Sequence, residues 1–289
     1  MPKLTFLPIA ILYLSGCATN SYQYGTGEYG GDNSSSPPMQ QQIIIGEPHK
    51  FLDASDWIWP GSWLAKLFLW NKSIDSHEVS EDTIAEMAEY MEKNDLEDVQ
   101  VLVNTYKPGT QWRRLFKNKE VGAGWRYTLG ILSTSIYTIL PGRFFGGDHY
   151  NPFTNTISIY SNNISIALHE AGHAKDFNSR KLKGTHAAIY ILPGAPLYYE
   201  AVASTDALSY LEYECRYDEK KRAYRLLHPA YGTYVGGLFL RESGLGFLGA
   251  IPGHITGAIG AMRTNDDDHS NVGKCSGRAD APPKTFQLK

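Results

Sequence analysis

Two histidines one helical turn apart, His169 and His173, with Glu170 directly after the first, constrain this chain more than any other feature. They lie in SIALHEAGHAKDF, Ser165 to Phe177, flanked by Ile164, Ile166, Ala167, Leu168 and Ala171, the apolar contacts of a buried helix. Positions i and i+4 share a helix face, so both imidazoles can point at one ion. Glu170 lies beside that face, angled to take a proton from water rather than to bind the ion. Gly172 leaves room beside the metal. Composition alone would give such a pattern about once in a hundred chains of this make-up. Two helix histidines and a salt-bridging glutamate are the plain alternative.

The surroundings suit the motif. Ser80 caps a helix through EDTIAEMAEYMEKN, with Ile84, Met87, Ala88 and Met91 on one face. Val99 to Tyr106 is β-branched and reads as a strand, while Trp112–Lys117 and Trp125–Ile139 read as helical. Thr154 to Ser161 alternates as a half-buried strand does, and Asn162-Asn163 ends it and caps the motif helix. A loop follows, then a helix from about Leu197 and another, Tyr213 to Leu227, stopping at His228-Pro229. Gly244 to Met262 is apolar, with Gly249, Gly253 and Gly257 at four-residue intervals, spacing that lets helices approach closely; it predicts a packed or membrane-touching segment.

Catalytic zinc takes three protein ligands and keeps a fourth position for water. Position 179, where a metzincin would place a third histidine, is Ser179, so the better candidate is Glu200 in YYEAVASTDALSY. The strand, the HExxH helix and the later Glu-x-x-Ala helix, together covering about Asp148 to Tyr213, resemble the gluzincin zinc metallopeptidases, particularly the HtpX-like and CAAX-prenyl-protease-like group. The resemblance implies an α+β zincin-like fold: a small mixed sheet with an edge strand packed on the HExxH helix, then a mostly helical half. It implies one Zn2+ held by His169, His173 and Glu200, with Glu170 as general base for a water that attacks a peptide carbonyl. In that group an aspartate follows Glu-x-x-Ala and orients a ligand histidine. Ser204 stands there in this chain, with Asp206 two residues on and Asp176 on the motif helix as the other candidates. His228, Tyr231 and His254 are available to stabilise an oxyanion. The strand Asn155, Thr156, Ile157, Ser158, Ile159, Tyr160 corresponds to the edge on which gluzincins lay an extended or unfolded polypeptide. A zinc amidase shares this metal logic, and a non-catalytic interaction module could keep the fold.

The chain begins MPKLTFLPIAILYLSGC: one lysine, a short apolar run and small residues, as in a secretory signal peptide. The run is too short to span roughly 30 Å of hydrocarbon. Leu14-Ser15-Gly16-Cys17 resembles the bacterial lipobox, which implies signal peptide 1–16, a lipid on Cys17 and anchoring in the cell envelope; Ala18 after the cysteine favours the outer membrane, facing the periplasm. Residues 17–42, rich in Gly, Ser, Asn and Gln, predict a flexible tether, 43–263 the metallopeptidase domain, and 264–289 a polar tail. Cys215 and Cys275 then remain; a disulfide and two free thiols both fit. A net charge of −3 with both signs dispersed gives no reason to expect a nucleic-acid partner.

Overall fold

The computed structural model describes residues 22–26, 42–47, 49, 53, 60–145, 147–240 and 243–275. The predicted signal peptide and Cys17 lie outside them. In chain order the elements are β1 (Ile43–Ile45), α1 (Pro60–Phe68), α2 (Glu81–Lys93), β2 (Gln100–Val103), α3 (Pro108–Lys117), and α4 (Ile131–Ile139) entered through a π-helical turn, Arg126–Gly130. Then come β3 (His149–Asn151), β4 (Thr156–Ile159), α5 (Ile164–Asn178), α6 (Lys183–Ile189), α7 (Ala195–Tyr213), α8 (Tyr217–Phe239) and α9 (Ala250–Cys275). A small sheet beside many helices makes the fold α+β.

The sheet order is β1-β2-β4-β3, with β1, β2 and β4 parallel and β3 antiparallel to β4. This corrects the expected edge strand. β4 is paired on both sides and buried along its whole length; the edges are β1 and, beside β4, β3, three residues too short to show alternation. Asn155 and Tyr160 fall outside β4. Asn155 sits in the β3–β4 turn in the left-handed region, φ 49°, where its side-chain oxygen accepts from the Tyr150 hydroxyl.

One core cluster joins the sheet to α2, α5 and α7 through Tyr90, Met91, Val101, Ile157, Leu168 and Leu211. Helix α2 starts as its sequence predicts, with the Ser80 side chain accepting from the Thr83 amide. Helix α5 crosses α7 closely: a Cβ on Gly172 would lie 3.0 Å from the Ala203 carbonyl oxygen and 3.2 Å from its Cα. Gly172 therefore admits the neighbouring helix, rather than making room beside a metal.

Two helices run further than predicted. Helix α8 continues through Pro229, and α9 extends into the expected tail, to Cys275. Proline in a helix interior costs about 3 kcal/mol. Here the glycine stripe offsets it by closing α9 onto α8: a Cβ at Gly253 would lie 2.5 Å from the Pro229 Cα, one at Gly257 2.5 Å from the Tyr224 carbonyl oxygen, and one at Gly249 would overlap the Gly232 carbonyl. That is the packed alternative for Gly244–Met262. Among the described residues no helix is long and apolar enough to cross a membrane.

Residues 22–26, expected within the flexible tether, are held against the fold instead. Tyr22 donates to the Asn94 side chain at 2.8 Å, the Lys175 ammonium lies 4.0 Å from the Tyr22 ring and donates to the Gln23 carbonyl, Tyr24 bonds Glu214, and Thr26 is buried. Residues 22–26 belong to the folded body. Cys215 is disulfide-bonded, to a partner outside the described side chains.

Gly237 in α8 and Gly249, in the turn just before α9, separate close backbone approach from helix propensity. Gly249→Ala, which forces a methyl into backbone, should cost about 1–3 kcal/mol. Gly237→Ala, whose Cβ meets nothing within 4 Å, should stabilise by up to about 1 kcal/mol. Urea unfolding of both variants gives the two signs.

Candidate metal centre

The motif helix is held in phase at its start. Asn163 accepts from the Ser165 and Ile166 amides, as the sequence predicts. With that phase Leu168 and Ala171 enter the core while His169 and His173 face α7. On α7, Glu200 is set by the Gly172–Ala203 crossing, and its carboxylate arrives between the imidazoles.

His169 Nε2 lies 3.0 Å from Glu200 Oε2 and 3.1 Å from His173 Nε2, and His173 Nε2 lies 3.5 Å from Glu200 Oε1. Among the described residues this triad is the group of ligand-type side chains that could hold a metal ion. Burial raises the Glu200 carboxyl, but the His173 and His169 imidazoles outweigh it and hold it well below the usual carboxylate range.

The three orienting candidates separate cleanly. Ser204 Oγ stands 3.2 Å from His169 Nδ1, the position from which a neighbour fixes the ring and its tautomer. Asp206 turns the other way, paired with Lys175 at 2.9 Å and bonded to the Tyr90 hydroxyl. Asp176 binds Arg180 and, at 2.8 Å, His186 Nε2, which ties α6 to α5.

Glu170 faces the same space. Its carboxyl is raised to about 8, first by burial and further by Glu200 and Asp148, while His169 and the Tyr150 amide, which donates to it, act in the opposite direction. Asp148 is itself raised to about 6 by burial and by Asp75. A cation at the triad would draw the Glu170 value back down.

Both glutamates open on a cleft of about 520 Å³, the size of a substrate site. Its walls are largely apolar and aromatic, with α4 on one side and α6 on the other. Three tyrosines that the sequence did not single out line it. Tyr190 donates to Glu200 Oε1 at 3.1 Å, Tyr234 also reaches Glu200, and Tyr137, stacked on His149 with centroids 4.1 Å apart, is raised to about 12 by burial and by Glu170. No spacing rule marks them, because α6, α8 and α4 deliver them separately.

Two of the three residues named for an oxyanion are elsewhere; the third, Tyr231, lies near enough to Glu200 to feel its charge. His228 Nδ1 contacts Thr256, and His254 bonds the Phe68 carbonyl at 2.7 Å and stacks on Trp70. Tyr231 is on α8 and is raised by burial and by Glu200, but does not line the cleft.

No protein-family model matches the chain, and no curated protein and no solved structure matches it.

Ser204→Ala should weaken affinity for a divalent ion about 10–100-fold while leaving the fold intact. Asp206→Asn should leave that affinity unchanged and lower stability by about 1–3 kcal/mol. Competitive zinc titration and thermal unfolding of the two variants give the crossed pattern.

Proposed function

We propose that the chain is a zinc-dependent endopeptidase with a zincin-like fold, akin to the gluzincins of the HtpX-like group. It would be held by a lipid on Cys17 at the periplasmic face of a bacterial outer membrane. The observation that carries this reading is the convergence of His169, His173 and Glu200 on one point, with Glu170 beside them in an open cleft.

Two imidazole nitrogens and a carboxylate oxygen are a zinc donor set. Tetrahedral bonds of about 2.0–2.1 Å place neighbouring ligand atoms about 3.3–3.4 Å apart. His169 Nε2 lies 3.1 Å from His173 Nε2 and 3.0 Å from Glu200 Oε2, a little inside that spacing, and His173 Nε2 lies 3.5 Å from the other oxygen, Oε1. When bound, the ion supplies a Lewis acid that polarises a carbonyl and acidifies water.

The chain's own groups do the rest. Ser204 accepts the Nδ1 proton of His169 and leaves Nε2 as the ligand atom. Glu170, steadied by the Tyr150 amide, takes a proton from water and delivers it to the leaving amine. Tyr190 and Tyr234 donate to the Glu200 carboxylate and hold it in place, while Tyr137 brings a further phenol to the cleft where an oxyanion would develop. The edge strand β3 meets Glu170 through the Tyr150 amide, so an extended polypeptide adding to β3 would pass the base. This replaces β4 as the strand that presents substrate.

The test is metal analysis and cleavage of an unfolded protein by wild type and Glu170→Gln. Both should carry one zinc per chain, with cleavage about 10²–10⁴-fold slower in the variant. Zinc without peptide cleavage in the wild type would favour an amidase or an interaction module. Equal cleavage by both proteins would remove Glu170 from the mechanism.

A further inference from the structure

The cleft opens among side chains that water does not favour. On α4, Leu132, Ile136 and Ile139 recur at helical spacing and are exposed, Ile139 to 74%. Across the cleft Ile191 is exposed to 65% and Leu192 follows it. Leu132, Ile136 and Ile191 line one cavity, so these two lips belong to a single mouth.

The surface continues from there. A Cβ on Gly194 would lie 4.0 Å from Leu238, which joins the α6–α7 turn to the end of α8, where Phe239 is also exposed. The close approach of Gly236 to Gly246 then leads to α9. There Ile251, Ile255, Ile259 and Met262 present an apolar face away from α8, Ile255 exposed to 60%.

Charge is segregated to match. Residues 127–142, 187–199, 226–240 and 243–262 contain no Asp, Glu, Lys or Arg, and only Arg241 and Glu242 interrupt the last two. The opposite end of α8 carries Asp218, Glu219, Lys220, Lys221, Arg222 and Arg225. Exposed apolar side chains gathered at the mouth of a cleft mark an interaction surface.

We infer that this surface docks on a lipid bilayer, so that the cleft mouth opens at the membrane interface. Two observations favour lipid over a protein partner. The exposed residues are predominantly aliphatic and without charge, unlike a protein interface with its Arg anchors and polar rim. No described helix can span, so the apolar face would lie in the interface plane. Where substrate is met rests on the proposed peptidase; the docking itself does not. The inference names where substrate is met: polypeptide at or leaving the bilayer surface.

The test places an environment-sensitive fluorophore on a cysteine introduced into the full chain at Ile191, Ile136, Ile255 or, on the charged end, Arg222. The unsubstituted chain, treated alike, is the blank. Vesicles of phosphatidylethanolamine and phosphatidylglycerol carry nitroxide on the lipid acyl chains. Probes at Ile191, Ile136 and Ile255 should shift to the blue on vesicles and be quenched about twofold by the nitroxide lipid, the Arg222 probe neither. No shift at the first three, or equal quenching at Arg222, would overturn the inference. So would a blue shift without nitroxide quenching, which would assign the surface to a second copy or another protein. Two lips and α9 are sampled separately, so one poorly folded variant leaves the outcome decided. Zinc content and cleavage are not read, so this test can fail while the proposed chemistry stands.

Discussion

The close crossing of α5 and α7 at Gly172 and Ala203 is the contact on which the site depends. HExxH by itself supplies two ligands and a base from one helix. The third ligand-type group, Glu200, comes from another helix, and its reach is decided by how near the two backbones come. With a glycine on one side and an alanine on the other, the axes close up enough for the Glu200 carboxylate to fall between two imidazoles. The Glu-x-x-Ala spacing thus has a physical content: glutamate points into the cleft, and the alanine three residues later is the small residue at the crossing.

Closing those helices also gathers negative charge. Glu170, Glu200 and Asp148 are all near one another in a partly buried space, and the charge of each of Glu200 and Asp148 raises Glu170. Buried carboxylates in such company either take protons or find cations. Glu200 finds imidazoles, whereas Glu170 takes the proton, and the tyrosines around them add donors without adding charge at neutral pH. The centre is balanced as a unit: each group's state is set by its neighbours, and a cation would reset them together.

Much of this was legible in the sequence, for reasons that particular residues show. The motif helix, its Asn163 cap, the Ser80 cap and Glu200 as the carboxylate that joins the two histidines all rest on local rules of spacing and hydrogen bonding. Ser204 followed from helical phase. What was not legible depends on partners distant in the chain. β4 alternates like an edge strand, yet β2 and β3 enclose it, and three residues of β3 carry too little pattern to announce an edge. Pro229 reads as a stop until α9 is laid against it. The residues around Tyr22 and Tyr24 look like a polar tether, since the lysine and glutamate that hold them are more than a hundred residues away.

That last attachment sets an order of events. Tyr22, Gln23 and Tyr24 are among the first residues of the chain to be made, but their partners include Lys175, Tyr210 and Glu214. Domains fold from the N-terminus as synthesis proceeds, and contacts between distant residues close last. The opening segment therefore waits, unpaired, until most of the helices behind it are complete, and only then is drawn down onto them. The start and the completion of the fold thus meet at the same few tyrosines.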